Sequence, residues 1–343
     1  MSKKIGILTG GGDCPGLNPA IRGVVFKAID YDFKTFGIQE GWRGLIEGNI
    51  LPLRLGDVED IIDCGGTVLG ASRVNPYKVD GGIEKVLANI KEHKLDALIA
   101  MGGEDTLGMA NKLSKEVGVN IVGVPKTMDN DISGTDYTFG FDSSVTRAMD
   151  AMKSLKDTGR SHRRIMVLEV MGRHAGWVAL FTGISSGADW ILIPEVETNF
   201  SKMYQHLLNV YKRKKYALVV TAEGIETPEM KIGKEELDQF GHMILRKRKV
   251  GENLAQLINE KTGIETRSAV IGHMQRGGPP TLFDRILGTR CGVKAADLVA
   301  QEKFGRMVAL RGNEIIDISL DEAVAKLKIV NERWWNLAKV FFK

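Results

Sequence analysis

The 343-residue chain is 43% hydrophobic and 26% charged, the proportions of a globular protein with apolar material for one or two sizeable cores. Its 47 Lys and Arg against 43 Asp and Glu leave a net charge of +4, too little to argue for nucleic acid as a partner. Apolar runs such as Ala97-Leu98-Ile99-Ala100-Met101 fall far short of the roughly 20 residues that cross a bilayer, so no membrane is expected. The start, Met1-Ser2-Lys3-Lys4, carries no apolar signal segment. Cys14, Cys64 and Cys291 have neither metal-ligand spacing nor a disulfide framework, which suits a cytoplasmic protein. Glycine is the outlier: forty residues, about 12% of the chain against a background of about 7%. Glycines gathered at strand ends would suggest backbone approaching phosphates.

In chain order, Lys4–Thr9 reads as a buried strand that breaks at Gly10-Gly11-Gly12 before a helix over Pro19–Ile29. Three glycines in that position let backbone N–H groups converge on an anion, although a tight turn needs the same residues. The run is neither a Walker loop nor a spaced dinucleotide fingerprint. A helix over Gly82–Lys94 leads to a second strand, Ala97–Met101, which ends in Gly102-Gly103-Glu104-Asp105 before a helix over Leu107–Glu116. Glu104 and Asp105 can cap that helix, or one of them can hold Mg²⁺, which is gripped by one or two carboxylates plus substrate phosphates. A third strand, Ile121–Val124, ends in Pro125-Lys126-Thr127-Met128-Asp129-Asn130-Asp131. A lysine and two carboxylates there can orient a phosphoryl donor and deprotonate a hydroxyl, or form no more than an Asx-rich turn. In a parallel sheet these three strand ends would open onto one crevice.

Gly134–Asp142 is a candidate crossing to a second unit, and Arg276–Pro280 a candidate return. Between them lie a helix over Ser143–Lys156, a strand over Ile165–Val170, and the turn Met171-Gly172-Arg173-His174 leading into a helix. A strand over Trp190–Ile193, a helix over Lys202–Arg213 and a strand over Ala217–Ala222 closed by Glu223 follow. A helix over Gly251–Glu260, a strand over Ser268–Gly272 and a helix over Arg290–Gln301 complete the set. Arg267 opens the last strand, and His273-Met274-Gln275-Arg276 follow it; arginines at strand ends suit bidentate phosphate recognition. The basic run Arg160–Arg164 could collect a phosphate, whereas Lys212–Lys215 and Arg246–Lys249 read as solvated faces. Continuous apolar strands alternating with helices predict an α/β protein of two doubly wound lobes with mostly parallel sheets.

These blocks resemble the 6-phosphofructokinase family, in order and over nearly the whole chain: Thr9–Asn18, Gly65–Arg73, Gly102–Thr106, Pro125–Asp131, Arg164–Gly176, Pro194–Glu197, Glu223 and Arg267–Gly278. A kinase with a Gly-Gly-Asp-Gly turn, such as NAD kinase, would explain only Gly102–Thr106. The resemblance implies a phosphoryl-donor lobe of residues 1–140 with about 277–325, and a sugar-phosphate lobe of residues 141–276 with 326–343. It implies phosphoryl transfer to the 1-hydroxyl of fructose 6-phosphate, with Asp129 as base, Thr127 and Asp131 beside it, Glu104 on Mg²⁺ and Gly11 near the donor phosphates. Met171, Gly172 and Arg173 would contact the sugar, Arg173 also stabilising the transferring group. Glu223, Arg267, His273 and Arg276 would complete the sugar-phosphate site. A homo-oligomer with a shared site is implied too, Arg164 and Arg267 being the candidates supplied across a subunit boundary.

Two positions depart from the ATP-using members and are similar to the diphosphate-dependent ones. ATP users have a second glycine after the acid of the Gly-Gly-acid turn, where this chain has Asp105, and a glycine between the Pro and Thr of the base motif, where it has Lys126. A carboxylate near the α-phosphate repels it: two unit charges at about 4 Å and an effective dielectric near 20 cost about 4 kcal/mol, roughly a thousandfold in binding. Diphosphate ends before that point, and Lys126 adds a cation for the leaving phosphate. The resemblance thus implies reversible transfer from inorganic diphosphate. An ATP-dependent phosphofructokinase is the alternative, and a non-catalytic sugar-phosphate sensor, which needs no base, is the reading from another class. Regulated members carry effector-site arginines where this chain has Phe26 and Lys156, so nucleotide or phosphoenolpyruvate control is not expected.

Overall fold

The computed structural model describes residues 2–226 and 249–342. Its first half runs β1 (Lys4–Thr9), α1 (Leu17–Asp30), β2 (Lys34–Ile38), α2 (Trp42–Glu47), β3 (Ile50–Pro52), α3 (Gly82–His93), β4 (Ala97–Gly102), α4 (Glu104–Val117) and β5 (Ile121–Pro125). The long α5 (Phe141–His162) crosses to β6 (Ile165–Val170), α6 (Trp177–Ser186), β7 (Trp190–Leu192), α7 (Phe200–Lys214), β8 (Ala217–Ala222), α8 (Val250–Thr262) and β9 (Thr266–Val270). The chain returns through α9 (Leu282–Ala300), β10 (Arg306–Arg311), β11 (Glu314–Ser319) and α10 (Leu320–Val324), then ends in α11 (Glu332–Lys339).

Among the described residues the strands form a seven-stranded sheet, β11-β10-β5-β4-β1-β2-β3, and a four-stranded sheet, β7-β8-β6-β9. Pairing is parallel apart from β2–β3 and β10–β11, so the expected α/β class with mostly parallel sheets holds. Successive residues of the central strands serve opposite layers. Ile5, Ile7 and Ile99 pack with Leu17, Ile21 and Leu287 of α1 and α9, while Leu8, Leu98 and Ala100 pack with Trp42, Val86 and Leu107 of α2, α3 and α4. Burial on both faces requires apolar residues at every position, which is why these strands are legible as continuous runs. The four-stranded sheet has its own core, onto which Val330 and Ala338 of the C-terminal segment pack.

α1 and α9 approach so closely that a Cβ on Gly292 would lie 2.1 Å from the Ala20 carbonyl oxygen, and one on Gly23 would lie 2.6 Å from that of Thr289. Part of the glycine excess therefore serves helix packing, and part ends helices, as at Gly118 and Gly187. The expected strand set lacks β2, β3, β10 and β11. β3 has only three residues, and β10–β11 is a half-buried hairpin joined by Gly312-Asn313, with Gly312 at φ +59°. α9 starts at Leu282 rather than Arg290, with Thr281 as its cap. Leu282 and Ile286, 78% and 53% exposed, blur its apolar stripe. Arg160 and His162 fall in the exposed last turn of α5, where cations complement the helix dipole. Of the other basic runs, residues 246–248 lie outside the described residues.

β1 is the point from which the chain proceeds to opposite sides of the large sheet, the usual place for a ligand crevice. Thr9 is in register with Met101 and Gly102 with Pro125, so the carboxyl ends of β1, β4 and β5 lie side by side. In the small sheet Val170 is in register with Ala222, which brings the ends of β6 and β8 together.

Candidate active site

These five strand ends face one open crevice. Ten residues singled out from the sequence line it: Gly11, Glu104, Asp105, Lys126, Thr127, Asp129, Asp131, Arg173, Glu223 and Arg276. Arg73 and His174 also line it. Arg73 closes the block Gly65–Arg73, and only its place at the end of that block pointed to it.

The glycine turn works differently from the sequence expectation. Gly10 N–H donates to the Met101 carbonyl at 2.9 Å and Gly11 N–H to that of Ser72 at 3.0 Å. Both amides are spent on neighbouring backbone and do not converge on an anion. What Gly11 provides is room and a left-handed turn at φ +77°, with Lys126 Nζ only 3.5 Å from where a Cβ would stand. Lys126, 3% exposed, donates to the Gly12 carbonyl, and burial lowers the pKa of its ammonium. On the other side of the turn Arg276 Nη1 donates to the Asp13 carbonyl at 3.1 Å. A Cβ on Gly12 would lie 2.6 Å from that guanidinium. Arg276 thus meets the donor-side turn rather than standing apart on the sugar side.

The base loop follows β5. Asp129 N–H donates to Thr127 Oγ1 at 3.1 Å, and Thr138 Oγ1 donates to the Thr127 carbonyl at 2.6 Å. Asp129 Oδ1 and Asp131 Oδ1 are buried without a hydrogen-bond partner among the described residues. Burial, then the Asp129 charge, pushes Asp131 up to about 7. The same two causes push Glu223 up to about 7, against the lowering pull of the Gly172 backbone and Arg173. Three carboxyl groups thus share a space that favours a bound cation or proton.

Glu104 and Asp105 occupy the first turn of α4, where the helix dipole favours acids, and the N-cap Gly103 offers no side chain. Glu104 and Asp105 both line the crevice and also a groove beyond it formed with Asn75, Lys78, Gly108, Met109 and Val324. Among the described residues no three acidic, His or Cys side chains form a ready-made metal cage. Mg²⁺ rarely uses one, being held by one or two carboxylates together with substrate phosphates, and the Glu104 carboxylate in the crevice is a hard-oxygen ligand that fits it.

On the second sheet, Met171 N–H donates to Gln275 Oε1 at 2.8 Å, and Gln275 Nε2 donates to Ser144 Oγ at 3.0 Å. The fully buried Gln275 therefore anchors the Met171–Arg173 turn. Gly172 sits at φ +137°, where a Cβ would meet the Ala175 carbonyl oxygen at 2.8 Å. His273 is exposed, and with Arg164 and Arg267 it stays outside the crevice of its own chain. Arg164 Nε and Arg267 Nη2 each lie 2.8 Å from a Glu265 oxygen. Arg164, then Arg267, holds the Glu265 carboxyl below its ordinary range.

The family model described as Phosphofructokinase matches residues 4–299. The pyrophosphate–fructose 6-phosphate 1-phosphotransferase of Dictyoglomus thermophilum is 49% identical over 347 residues, covering 100% of this chain and 99% of its own. A relative named ATP-dependent 6-phosphofructokinase, from Corynebacterium efficiens, is 44% identical and covered to 99%, as is this chain. Among solved structures, Pichia pastoris phosphofructokinase in the T-state is 31% identical, with a TM-score of 0.83 over 99% of this chain, which spans 36% of that longer one.

Proposed function

The chain belongs to the phosphofructokinase family, and from that premise we propose that it transfers a phosphoryl group from inorganic diphosphate to the 1-hydroxyl of fructose 6-phosphate, reversibly and with Mg²⁺. The observation that carries the choice of donor is a second carboxylate, Asp105, beside Glu104 in the lining of the crevice and of the groove beyond it, with Lys126 buried beside the glycine turn. A two-phosphate donor lies wholly on the near side of Asp105. A nucleoside triphosphate has to thread its α-phosphate past that carboxylate.

Asp129 Oδ1, buried and unpartnered, takes the proton from the sugar 1-hydroxyl. Arg173 stabilises the charge on the transferring group, and Lys126 neutralises the phosphate that leaves. Met171 and Gly172 place the sugar, and Glu223 accepts a hydrogen bond from one of its hydroxyls. Glu104 is the residue that would hold Mg²⁺, which when bound neutralises diphosphate oxygens. The seven-stranded sheet with α9 supports a donor lobe of residues 1–140 with about 277–325, and the packing of α11 on the smaller sheet supports a sugar lobe of residues 141–276 with 326–343.

Cys14, Cys64 and Cys291 are free thiols, which suits a reducing cytoplasm. Arg22 stacks over Phe26 at 4.1 Å and donates to the Glu59 carbonyl at 3.2 Å.

Fructose 1,6-bisphosphate formation, measured with Mg²⁺ and either diphosphate or ATP, tests the proposal. Diphosphate is the expected donor. A preference for ATP transfers the reading to an ATP-dependent phosphofructokinase, and product with neither donor leaves a sensor.

Arg164 and Arg267 serve, in this reading, the sugar phosphate of a neighbouring subunit in a homo-oligomer. Arg164→Ala and Arg267→Ala should each raise the KM for fructose 6-phosphate by tenfold or more, since a charge-assisted contact is worth roughly 1.5–3 kcal/mol. Mixing Arg267→Ala with a variant inactivated at Asp129, under conditions that exchange subunits, should restore activity in hybrids. Mixtures no more active than their parts would refute a shared site.

A further inference from the structure

Residues 326–331 run between the two sheets, and Lys328 at their centre has all three ammonium hydrogens engaged. Its Nζ donates to Asn130 Oδ1 at 2.8 Å and to the carbonyls of Thr135 and Asp136 at 2.9 Å each. Its own N–H donates to the Asp131 carbonyl at 2.8 Å. Side chain and backbone of one residue thus grip the base loop on both sides of Asp131. Asn130, between the two aspartates, sits at φ +52°, a left-handed conformation uncommon outside glycine. Its Oδ1 also accepts the Thr138 N–H at 3.1 Å, so that conformation depends on what the side chain holds.

The same strap reaches the sugar side. The Lys328 carbonyl accepts Trp177 Nε1–H at 2.8 Å. Val330 N–H donates to Glu195 Oε1 at 2.9 Å, and that oxygen also accepts Gly176 N–H at 2.9 Å. Gly176 and Trp177 open α6, directly after the Met171–Arg173 turn. A few residues of chain therefore tie the loop bearing the base to the helix behind the sugar-contacting turn. Burial pulls the Lys328 ammonium down to about 8, against the opposing charges of Asp131 and Asp136. A desolvated cation is a costly anchor for a strap that aliphatic side chains could hold, and its hydrogen-bond geometry is what an aliphatic residue lacks.

We infer that Lys328 is a positioning residue for the phosphoryl transfer: acting through Asn130, it sets the base loop at its working distance from the sugar turn. It touches no reacting atom. The inference rests on Asp129 being the base. Reacting groups must meet within about 3–3.5 Å, and a misplacement near 1 Å can cost about a hundredfold in rate.

The test measures kcat and both KM values of the full-length enzyme carrying Lys328→Met, Asn130→Gly, or both, with Asp129→Asn assayed alongside. Glycine accepts φ +52° without strain but removes the Oδ1 anchor. Each single variant should lose about tenfold or more in kcat, with the KM for fructose 6-phosphate and for diphosphate within twofold of wild type. The double variant should fall no further than the worse single, because the two changes share the Lys328–Asn130 contact through which the loop is set. A kcat within twofold of wild type, losses that multiply in the double variant, or a raised KM at normal kcat would each overturn the inference and leave the strap as scaffold. Should Lys328→Met fail to fold, Asn130→Gly decides alone by the same criterion. Normal kcat in Asp129→Asn would instead show that the base is misassigned.

Discussion

Asp129→Asn is expected to lower kcat for fructose 1,6-bisphosphate formation by at least a hundredfold, with the KM for fructose 6-phosphate within about twofold of wild type. The sugar hydroxyl must lose its proton as the new O–P bond forms, and an amide of the same shape cannot take it. The local frame survives, because Thr127 Oγ1 is held by the main-chain N–H of Asp129 rather than by its carboxyl. In the reverse direction the protonated base returns the proton, so reverse transfer must fall by the same factor if the equilibrium constant is to stand. Asp131 is the natural substitute, but burial and the Asp129 charge push it up to about 7, leaving it partly protonated near neutrality. Removing the Asp129 charge lets that pKa fall and gives the variant whatever residual activity it retains. A variant with more than a tenth of wild-type kcat would move the role to Asp131 or Glu223, and Asp131→Asn would then show the larger loss.

Why Asp129 could be found from sequence while Lys328 could not is a matter of range. The strands β1, β6 and β8 are buried on both faces, so nearly every position within them is apolar and their ends are sharply marked. Chemistry placed just after such ends is read directly, which is how Gly11, Glu104, Lys126, Asp129, Arg173 and Glu223 come together. Gln275 and Lys328 act through contacts spanning more than a hundred residues, and no local pattern marks them. Arg276 lies at the expected strand end, but a side chain of its length reaches across the crevice to Asp13, which spacing does not specify. The glycine turn misleads for the opposite reason. The amides of Gly10 and Gly11 look available until the neighbouring strand β4 supplies the Met101 carbonyl and a loop distant in sequence supplies that of Ser72.

The donor preference rests on two side chains, and exchanging them should show it. Asp105→Gly removes one of the two carboxylates, with Glu104, that line both the crevice and the groove beyond. The kcat/KM for ATP should then rise by tenfold or more, toward the roughly thousandfold set by two charges at about 4 Å in an effective dielectric near 20. The lower end is the safer expectation because Asp105 is partly exposed and solvent screens it. Lys126→Gly acts on the other end of the donor. It takes a buried cation from beside the glycine turn and leaves the Gly12 carbonyl without its donor. Diphosphate turnover should fall, with no ATP activity gained, because Asp105 still blocks the nucleotide. The double variant should use ATP better than Asp105→Gly alone, since the lysine fills space that the nucleotide's phosphates require once the carboxylate is gone. The two effects need not add, as both side chains meet the same donor. Steady-state rates with each donor for the four proteins, at one fixed Mg²⁺ concentration, are sufficient. An Asp105→Gly enzyme with an unchanged ratio of diphosphate to ATP efficiency would remove Asp105 from the selection of the donor, and the preference would then have to come from elsewhere in the crevice.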